Sequence, residues 1–287
     1  DLQAVCPNIT MLDGNNNICK ACMNGKYTNC IKKTCIKDSK MKSILGALEG
    51  YFYRINRIYT KKIDCIITPS NFLKEKLIED GISKEKIKTL YNFIDLEEYN
   101  KPTKDEGYAL YCGRLSKEKG VLNLIEAFSK IDIGTLYIAG DGPESTLIEN
   151  TIKEKHLEKR IKLLGLLEKE EMKQYISNCK FTVVPSIWYE NCPFSIIEAL
   201  TMGKPVIGSN IGGIPELVKN EENGFTYEYS NTIELAKKMK ELFTNEELTK
   251  KLGENAKINA KKAYAKDTYY DKIIKIYENN INNVLRK

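Results

Sequence analysis

Histidine and tryptophan are almost absent from the sequence, which contains one of each in 287 residues. The single histidine, His156, follows a polar stretch and is expected at the surface. No apolar run approaches the roughly 20 residues that a bilayer-spanning helix needs, and no segment resembles the apolar core of a secretory signal. No internal repeat is visible either. These absences predict a soluble chain, although it starts at Asp1 rather than Met and upstream signals are not excluded.

The composition is that of a globular protein, with 42% hydrophobic and 29% charged residues. A chain of this length can bury one substantial core and part of a second. The net charge is +6, and residues 1–60 hold nine Lys or Arg against four Asp or Glu, an excess of five. This local basic surface suits anionic lipid headgroups or an acidic acceptor. A solvated lysine-rich face is the alternative, and no nucleic-acid partner is expected.

Short apolar runs alternate with amphipathic stretches from residue 107 onward. Parallel strands need crossover connections of this kind, so the pattern predicts an α/β fold with a doubly wound, Rossmann-like parallel sheet. The predicted strands and helices are Tyr108–Cys112, Val121–Ile131, Thr135–Ala139, Pro143–His156, Ile161–Leu164, Lys169–Asn178, Phe181–Pro185, Phe194–Met202, Pro205–Ser209 and Pro215–Lys219.

The two ends of the chain differ from this region. Residues 1–100 carry a helix over Ser39–Lys61 and too few strands for a full sheet, which predicts a partial Rossmann-like domain. Residues 94–106 are expected to form a linker. Residues 101–265 form the predicted second domain. Three helices without intervening strands follow Asn231, and the last, 266–287, is expected to pack back on the N-terminal domain.

The loop after the strand Tyr108–Cys112 carries two cations, Arg114 and Lys119, beside Gly113 and Gly120. Ligands bind at the carboxyl ends of strands in an open α/β sheet, and the free N–H groups of a helix N-terminus favour an anion there. Arg114 would form a fork with phosphate oxygens, with Lys119 as a point charge. Two solvent-exposed loop charges are the alternative.

Two further loops follow strands in the same way. In Ala139–Glu144, Gly140 and Gly142 would let the backbone approach a ligand closely, unless the loop is only a tight turn capped by Asp141. The segment Pro185–Leu200 carries Glu190 on a loop and Glu198 on a helix. A helix carboxylate on an otherwise apolar face is costly to bury unless it is hydrogen-bonded, for example to sugar hydroxyls.

The motifs in this order resemble the family 4 retaining glycosyltransferases of the GT-B fold. They are Gly-Arg-Leu with Glu-Lys-Gly, Ala-Gly-Asp-Gly-Pro, two glutamates eight positions apart before Ala-Leu, Gly-Lys-Pro-Val, Gly-Gly-Ile-Pro-Glu-Leu-Val and Asn-Gly-Phe. The resemblance covers about residues 60–285 and implies a donor domain for a nucleotide diphosphate sugar. It assigns catalytic roles to Glu190, Arg114 and Lys119. The donor contacts that it implies are Gly113, Arg114, Lys119, Gly140, Gly165, Leu166, Glu190, Cys192, Pro193, Phe194, Ser195 and Glu198.

The family transfers sugar with retention and needs no divalent metal, which agrees with two cations beside the leaving diphosphate and with the absence of an Asp-x-Asp motif. This chain departs from the family where many members have glycine, since it has Asn191, Cys192 and Pro193 there. It also shows no pattern for the family's first N-terminal strands, and a histidine that some relatives place just upstream would lie outside it. The fragment alone is therefore expected to have little activity.

Five cysteines cluster in the first 35 residues, namely Cys6, Cys19, Cys22, Cys30 and Cys35. Four thiolates can hold a structural zinc ion, and Cys19 with Cys22 forms the usual CxxC half of such a site, with Cys30 and Cys35 as the other half. Disulfides in an oxidising compartment and free thiols are the alternatives. Apart from this zinc, no cofactor is expected.

The predicted function is sugar transfer from a nucleotide diphosphate sugar to a glycan or lipid-linked acceptor, in surface polysaccharide or glycoconjugate synthesis. The predicted location is the cytoplasm, at the inner face of the membrane, because residues 1–60 are basic and Tyr51–Tyr59 is aromatic and basic. A non-catalytic nucleotide-sugar-binding module is the alternative, and a sugar-nucleotide epimerase, which leaves Glu190 and Glu198 unexplained, is a further one.

Overall fold

The structure, a computed structural model, describes residues 2–99 and 103–285, which form two compact units. Unit 1 comprises Asp1–Asn92, Trp188–Cys192 and Tyr269–Lys287, and unit 2 comprises Phe93–Ile187 and Pro193–Thr268. No helix within the described residues has the length and hydropathy needed to cross a membrane.

Unit 1 contains a short pair of parallel strands among helices. Within the first 92 residues, the helices and strands of unit 1 are α1 (Thr28–Lys32), α2 (Lys40–Ile55), β1 (Ile66–Thr68), α3 (Asn71–Glu79) and β2 (Ile87–Thr89). Ile66 lies opposite Ile87 in the strand pair. The α3 helix begins at a serine cap, because Ser70 Oγ accepts a hydrogen bond from the Leu73 amide at 3.1 Å. The core beneath these elements contains Leu2, Val5, Met11, Leu73, Leu77, Ile82 and Ile87.

Unit 2 contains a six-stranded sheet in which every neighbouring pair of strands is parallel. Its elements are β3 (Tyr108–Cys112), α4 (Val121–Phe128), β4 (Thr135–Ala139), α5 (Ser145–Glu154), β5 (Ile161–Gly165), α6 (Lys169–Asn178), β6 (Phe181–Val184), α7 (Phe194–Thr201), β7 (Val206–Ser209), α8 (Ile214–Leu217), β8 (Gly224–Tyr227), α9 (Thr232–Thr244), α10 (Glu246–Ala263) and the first residues of α11 (Lys266–Leu285).

The order of the strands, β5-β4-β3-β6-β7-β8, reverses direction between β3 and β6. Such a reversal is a topological switch point, where the loops after the two central strands diverge and leave a crevice at their carboxyl ends. The loop with Arg114 follows β3 and the loop with Glu190 follows β6. The predicted α/β fold is confirmed, and two of the three sequence motifs flank the switch point.

The core of unit 2 is continuous around the sheet. All residues of β6 and β7 are buried, as expected for central strands covered on both faces. Phe181 packs edge-on against Phe243, with ring centroids 4.8 Å apart, and Phe128 is fully buried from α4. These contacts make the sheet a rigid base for the loops at its carboxyl edge.

Several predicted boundaries differ from the structure, most of them by one to three residues. The helix expected over Ser39–Lys61 ends at Ile55, because Arg57 adopts a left-handed conformation with φ 51° that stops the helix and is followed by a π-helical turn over Ile58–Lys62. The strand β8 was not predicted, although its first residues, Gly224 and Phe225, belong to the Asn-Gly-Phe motif. It pairs with β7 because its first residue, Gly224, has no Cβ; one added there would lie 2.0 Å from the Val206 carbonyl oxygen.

The division between the units also differs from the predicted boundary at residue 100. Residues 93–99 belong to unit 2, where the Ile94 amide donates to the Tyr264 carbonyl at 3.0 Å and Ile94 pairs with Ala265. Residues 100–102 of the predicted linker lie outside the described residues. The five residues Trp188–Cys192 belong to unit 1, which no sequence pattern predicted.

Replacing the central core residue Phe181 with Ala is expected to lower the free energy of unfolding of unit 2 by about 3–5 kcal/mol, because a fully buried ring is lost and a cavity remains. Urea unfolding followed by circular dichroism measures the change. Ile233→Ala, at a position 72% exposed on α9, is the control and should change stability by less than about 0.5 kcal/mol. Equal effects of the two substitutions would contradict this placement of the core.

Candidate functional site

The loop after β3 turns back toward the end of β6. Gly120 adopts a left-handed conformation with φ 69° at the start of α4. A Cβ at this position would lie 2.1 Å from the Pro185 carbonyl oxygen, so only glycine permits the approach. The Ile187 amide donates to the Glu118 carbonyl at 2.9 Å. These contacts hold the loops after β3 and β6 together at the switch point.

Backbone hydrogen bonds connect the β3 loop to the loops after β4 and β5. The Leu115 amide donates to the Asp141 carbonyl at 2.9 Å, and the Gly140 amide donates to the Gly165 carbonyl at 2.7 Å. Gly140 has φ 135°, and a Cβ there would lie 1.9 Å from the Gly113 carbonyl oxygen. The glycines Gly113, Gly140 and Gly165 therefore meet at one edge of the sheet.

The side chain of Asp141 acts within its own turn. One carboxylate oxygen accepts hydrogen bonds from the Gly142 amide at 2.7 Å and from the Ser145 hydroxyl at 2.6 Å. The Ser145 hydroxyl lowers the pKa of this carboxyl. The Asp141 side chain thus stabilises the turn before α5, although Glu144 and not Asp141 is the N-cap residue of that helix.

The two predicted phosphate-binding cations differ in exposure. The Arg114 side chain is exposed, and within residues 2–99 and 103–285 it has no ion-pair partner. Its carbonyl accepts a hydrogen bond from the Tyr111 hydroxyl at 2.8 Å, which fixes the backbone from which the side chain extends. Lys119 is half-buried in the last turn before α4. Both cations lie on the loop that follows β3.

Glu198 lies in the second turn of α7, where its carboxylate is largely shielded from water. Burial raises the pKa of Glu198 above its ordinary value, and the Tyr99 hydroxyl, which donates to Oε1 at 2.6 Å, acts in the opposite direction together with Lys169 and Lys173. Burial, with a further contribution from the charge of Glu198, raises the pKa of Cys112 to about 12. Since Cys112 ends β3, the carboxylate is near the start of the Arg114 loop.

Exposed apolar side chains occur at the same sheet edge. Leu166, directly after β5, is 83% exposed, and Phe194, the first residue of α7, is 53% exposed. Pro193 caps that helix and Ser195 follows in its first turn, so amides without helical partners are available there. Exposed apolar groups of this kind can contact a flat aromatic base.

The other predicted donor residues belong to unit 1. Glu190 is 8% exposed, and its Oε1 accepts a hydrogen bond from the Trp188 indole nitrogen at 2.9 Å. The Cys192 carbonyl accepts from the Asn92 amide group at 3.0 Å. Tyr189 packs on Phe72 with centroids 4.8 Å apart. The motif Pro185–Leu200 thus divides between the two units, with Glu198 in one and Glu190 in the other.

Two polar residues of interest were not predicted from the sequence. Tyr99 is the hydrogen-bond partner of Glu198, although it lies 99 positions away in the sequence. The Oδ1 atom of Asn191 is buried and has no hydrogen-bond partner among the described residues. Asn191 follows Glu190 and stands where many family members have glycine, which was the available signal for it. No sequence pattern pointed to Tyr99.

The five N-terminal cysteines line one small cavity of about 10 Å³ in unit 1. Burial raises the pKa of both Cys22 and Cys35 to about 12, so these thiols are neutral at physiological pH. All five are free thiols in the structure. In the described part of the chain, no group of three or more Cys, His, Asp or Glu side chains is arranged to hold a metal ion. The zinc site therefore stays a prediction.

An open parallel sheet with glycine loops at its switch point defines a Rossmann-like ligand-binding protein. Residues 94–259 match the family described as glycosyl transferases group 1, and residues 38–98 match the one described as glycosyltransferase family 4. The first match covers more than half of the chain. The protein therefore belongs to the glycosyl transferases group 1, which confirms the resemblance seen in the sequence.

Curated relatives support this membership. An uncharacterized glycosyltransferase of Methanocaldococcus jannaschii is 35% identical over 213 residues, which are 74% of this chain and 58% of the relative. N-acetyl-alpha-D-glucosaminyl L-malate synthase of Bacillus anthracis is 27% identical over 244 residues, which are 80% of this chain and 62% of the relative. The chain thus spans about 60% of the length of these two proteins.

Solved structures show the same fold. HepE of Anabaena in complex with UDP-glucose superposes with a TM-score of 0.72 at 24% identity, covering 80% of this chain and 68% of that one. A glycosyltransferase of Rickettsia africae gives a TM-score of 0.72 at 21% identity and covers 91% of this chain and 81% of that one.

Replacing Glu198 with Gln is expected to raise the free energy of unfolding at about pH 7. The folded-state pKa of Glu198 lies above its ordinary value of 4.5. The folded wild-type protein therefore loses stability as the pH rises from 4.5 through the folded-state pKa, because ionising the buried carboxyl costs more than ionising it in the unfolded chain. The gain in the Gln variant should therefore disappear below about pH 4, where the wild-type carboxyl is protonated. Urea unfolding at both pH values measures it.

Glu149→Gln is the matched control. Glu149 is exposed and pairs with Lys153, which lowers the pKa of the Glu149 carboxyl. Because the pKa of Glu149 is lowered and that of Glu198 is raised, the two substitutions should change stability in opposite directions. Glu149→Gln should leave the free energy of unfolding at neutral pH unchanged or slightly reduced. A Glu198→Gln variant that is no more stable than wild type at pH 7 would show that burial of this carboxylate carries no penalty.

Proposed function

We propose that this protein is a retaining glycosyltransferase that uses a nucleotide diphosphate sugar as donor. The observation that carries the proposal is the convergence of the loops after β3, β4, β5 and β6 at the switch point of unit 2. In the proposed site this edge of the sheet supplies a guanidinium, an ammonium, glycine backbone and a shielded carboxylate, which is the combination of groups that a nucleoside diphosphate requires.

In this proposal Arg114 and Lys119 bind the diphosphate. Arg114 offers a planar fork of donors without a competing ion pair among the described residues, and Lys119 precedes the free amides at the start of α4. Gly113 and Gly140 are the further predicted contacts of the phosphates. As the glycosidic bond to the diphosphate breaks, these groups stabilise the negative charge that develops on the leaving group.

Glu198 is proposed to bind the ribose hydroxyls. Its carboxylate has capacity for more hydrogen bonds than the single one from Tyr99, and ribose offers two neighbouring hydroxyl donors. Leu166, Phe194 and the Gly165 turn would contact the base. Glu190, with Cys192, Pro193 and Ser195 nearby in the sequence, is proposed to face the donor sugar and to stabilise its developing positive charge.

The proposed reaction needs no divalent metal, because two side-chain cations neutralise the diphosphate. The sugar passes from the leaving phosphate oxygen to an acceptor hydroxyl with its anomeric configuration kept, and the acceptor proton leaves through the departing phosphate or water. Support for the donor class comes from HepE of Anabaena, which was solved with UDP and with UDP-glucose.

The acceptor is proposed to be a glycan or a lipid-linked glycan, with the protein in the cytoplasm at the inner face of the membrane. An amylovoran biosynthesis glycosyltransferase of Erwinia amylovora is 29% identical over 175 residues, and its name places that relative in polysaccharide synthesis. The basic charge of residues 1–60 supports the membrane location.

Arg114→Ala is expected to weaken the binding of a nucleoside diphosphate by about 10- to 100-fold, since a charge-assisted bidentate contact is lost. Isothermal titration with UDP, and then with the other nucleoside diphosphates, measures it. Glu198→Ala should weaken the binding of nucleosides as well as of nucleoside diphosphates, and this difference separates ribose binding from phosphate binding. Lys159→Ala, on an exposed loop of unit 2, is the control and should bind as wild type. Unchanged affinity in both site variants would remove the proposed donor site.

Chelation is the second test of the proposed chemistry. Excess EDTA should leave nucleoside diphosphate affinity unchanged within about twofold, because Arg114 and Lys119 rather than a metal neutralise the phosphates. The measurement is the same titration with and without chelator, and magnesium added back is its control. A loss of affinity that magnesium restores would show that a cation bridges the diphosphate.

A further inference from the structure

The helix α2 in unit 1 exposes its large apolar side chains. Met41, Leu45, Leu48, Phe52 and Ile55 are each between 59% and 77% exposed. They recur at steps of four and three residues, so they form one stripe along the helix, about 24 Å long for 16 residues. We call this stripe the α2 apolar face. Ile44, beside it, is 38% exposed and widens it.

The opposite side of α2 is buried and made of small residues. Ser43, Ala47 and Gly50 face the interior of unit 1. A Cβ added to Gly50 would lie 3.0 Å from the ring of Tyr27, so a large side chain has no room there. A surface helix ordinarily buries its large apolar residues and exposes polar ones. Here the arrangement is reversed, and the exposed apolar area is one that soluble proteins generally cover.

Cations flank the α2 apolar face at both ends. Lys40 and Lys42 are the neighbours of Met41, so they lie about 100° to either side of the stripe in the first helical turn. Lys61 and Lys62 are exposed just beyond the other end. Within the described residues none of these four lysines forms an ion pair. The one carboxylate of α2, Glu49, is engaged by Gln3 and Tyr53.

This charge pattern selects among the surfaces that could cover the face. A second copy would bring cationic ends together whether the two α2 helices ran parallel or antiparallel, because both ends carry lysines. An anionic lipid surface would accept the apolar stripe between its acyl chains and pair its headgroups with the lysines of both ends. The length of the helix suits a position in the plane of the interface, since it is too short to span the bilayer.

We infer that the α2 apolar face, with Lys40, Lys42, Lys61 and Lys62 around it, is the surface by which this protein binds a membrane containing anionic phospholipids. The inference rests on the proposed function only in one respect, which is that membrane binding would hold the enzyme beside a lipid-linked acceptor. Binding to lipid itself requires neither donor nor acceptor, so the two proposals can fail separately.

Sedimentation with vesicles tests the assignment. The full chain is mixed with vesicles of phosphatidylcholine alone, or of equal parts phosphatidylcholine and phosphatidylglycerol, at low and physiological salt. Wild type should sediment with the anionic vesicles and less so as salt rises. Leu48→Glu with Phe52→Glu should reduce binding at least about tenfold, because two buried apolar contacts are lost. Lys40→Ala with Lys42→Ala should reduce it about fivefold per lysine.

Ile233→Glu is the matched control, since Ile233 is equally exposed on a helix of unit 2 and should leave vesicle binding unchanged. Circular dichroism and titration with UDP on the same preparations report whether each variant is folded and binds donor. A Phe52→Trp variant supplies a second readout, because its fluorescence should be quenched by brominated lipids while Trp188 in the parent chain is not.

Four results would overturn the inference. The first is that wild type does not sediment with anionic vesicles at low salt, and the second is that it binds neutral vesicles as well as anionic ones. The third is that the variant with Leu48→Glu and Phe52→Glu binds vesicles as well as wild type does. The fourth is a concentration-dependent dimer of wild type in gel filtration that this double variant does not form, with no lipid binding by wild type. The last result would assign the α2 apolar face to a second copy of the chain. Loss of UDP binding with vesicle binding intact would count against the proposed donor site and not against this surface.

Discussion

The close backbone approach of the strand-end loops is the constraint on which the rest of unit 2 depends. Gly120 meets the Pro185 carbonyl and Gly140 meets the Gly113 carbonyl at distances that no Cβ permits. Both contacts form because parallel strands end at the same edge of the sheet, and the first of them lies where the strand order reverses, between β3 and β6. The sheet therefore determines from which strand end the loop with Arg114 starts, and the glycines allow the strand-end loops to pack directly on one another.

Glu198 shows how such a site carries a penalty before its ligand arrives. Burial favours the protonated form, and the Tyr99 hydroxyl offsets only part of that effect. A carboxylate that is buried at this cost is consistent with a ligand that donates further hydrogen bonds to it, as the two hydroxyls of a ribose would. Glu190 is more deeply buried in unit 1, where the Trp188 indole orients it. The two carboxylates of one sequence motif thus acquire different surroundings.

Unit 1 differs from unit 2 in how its apolar residues are used. Its strands are three residues long and its core is small, while α2 directs its largest apolar side chains away from that core. Four of the five N-terminal cysteines are buried in the interior of the N-terminal segment instead, and all five line one small cavity. Small residues on the inner side of α2 allow the helix to pack against this segment. Because the small residues occupy the inner side, the large apolar side chains lie on the outer side, where they would contact a membrane.

The sequence by itself determined the parallel α/β class, the family resemblance and the approximate positions of most strands and helices of unit 2, because alternation and motif order are local properties that survive without tertiary context. Strands β3 and β4 and helix α6 have the bounds that periodicity predicts. Only the tertiary structure decided the pairing of Tyr99 with Glu198, the pairing that forms β8, the assignment of Trp188–Cys192 to unit 1 and the exposure of the α2 apolar face. Each of these depends on which distant residues come together, and hydrophobic periodicity does not distinguish a stripe that faces the core from one that faces outward.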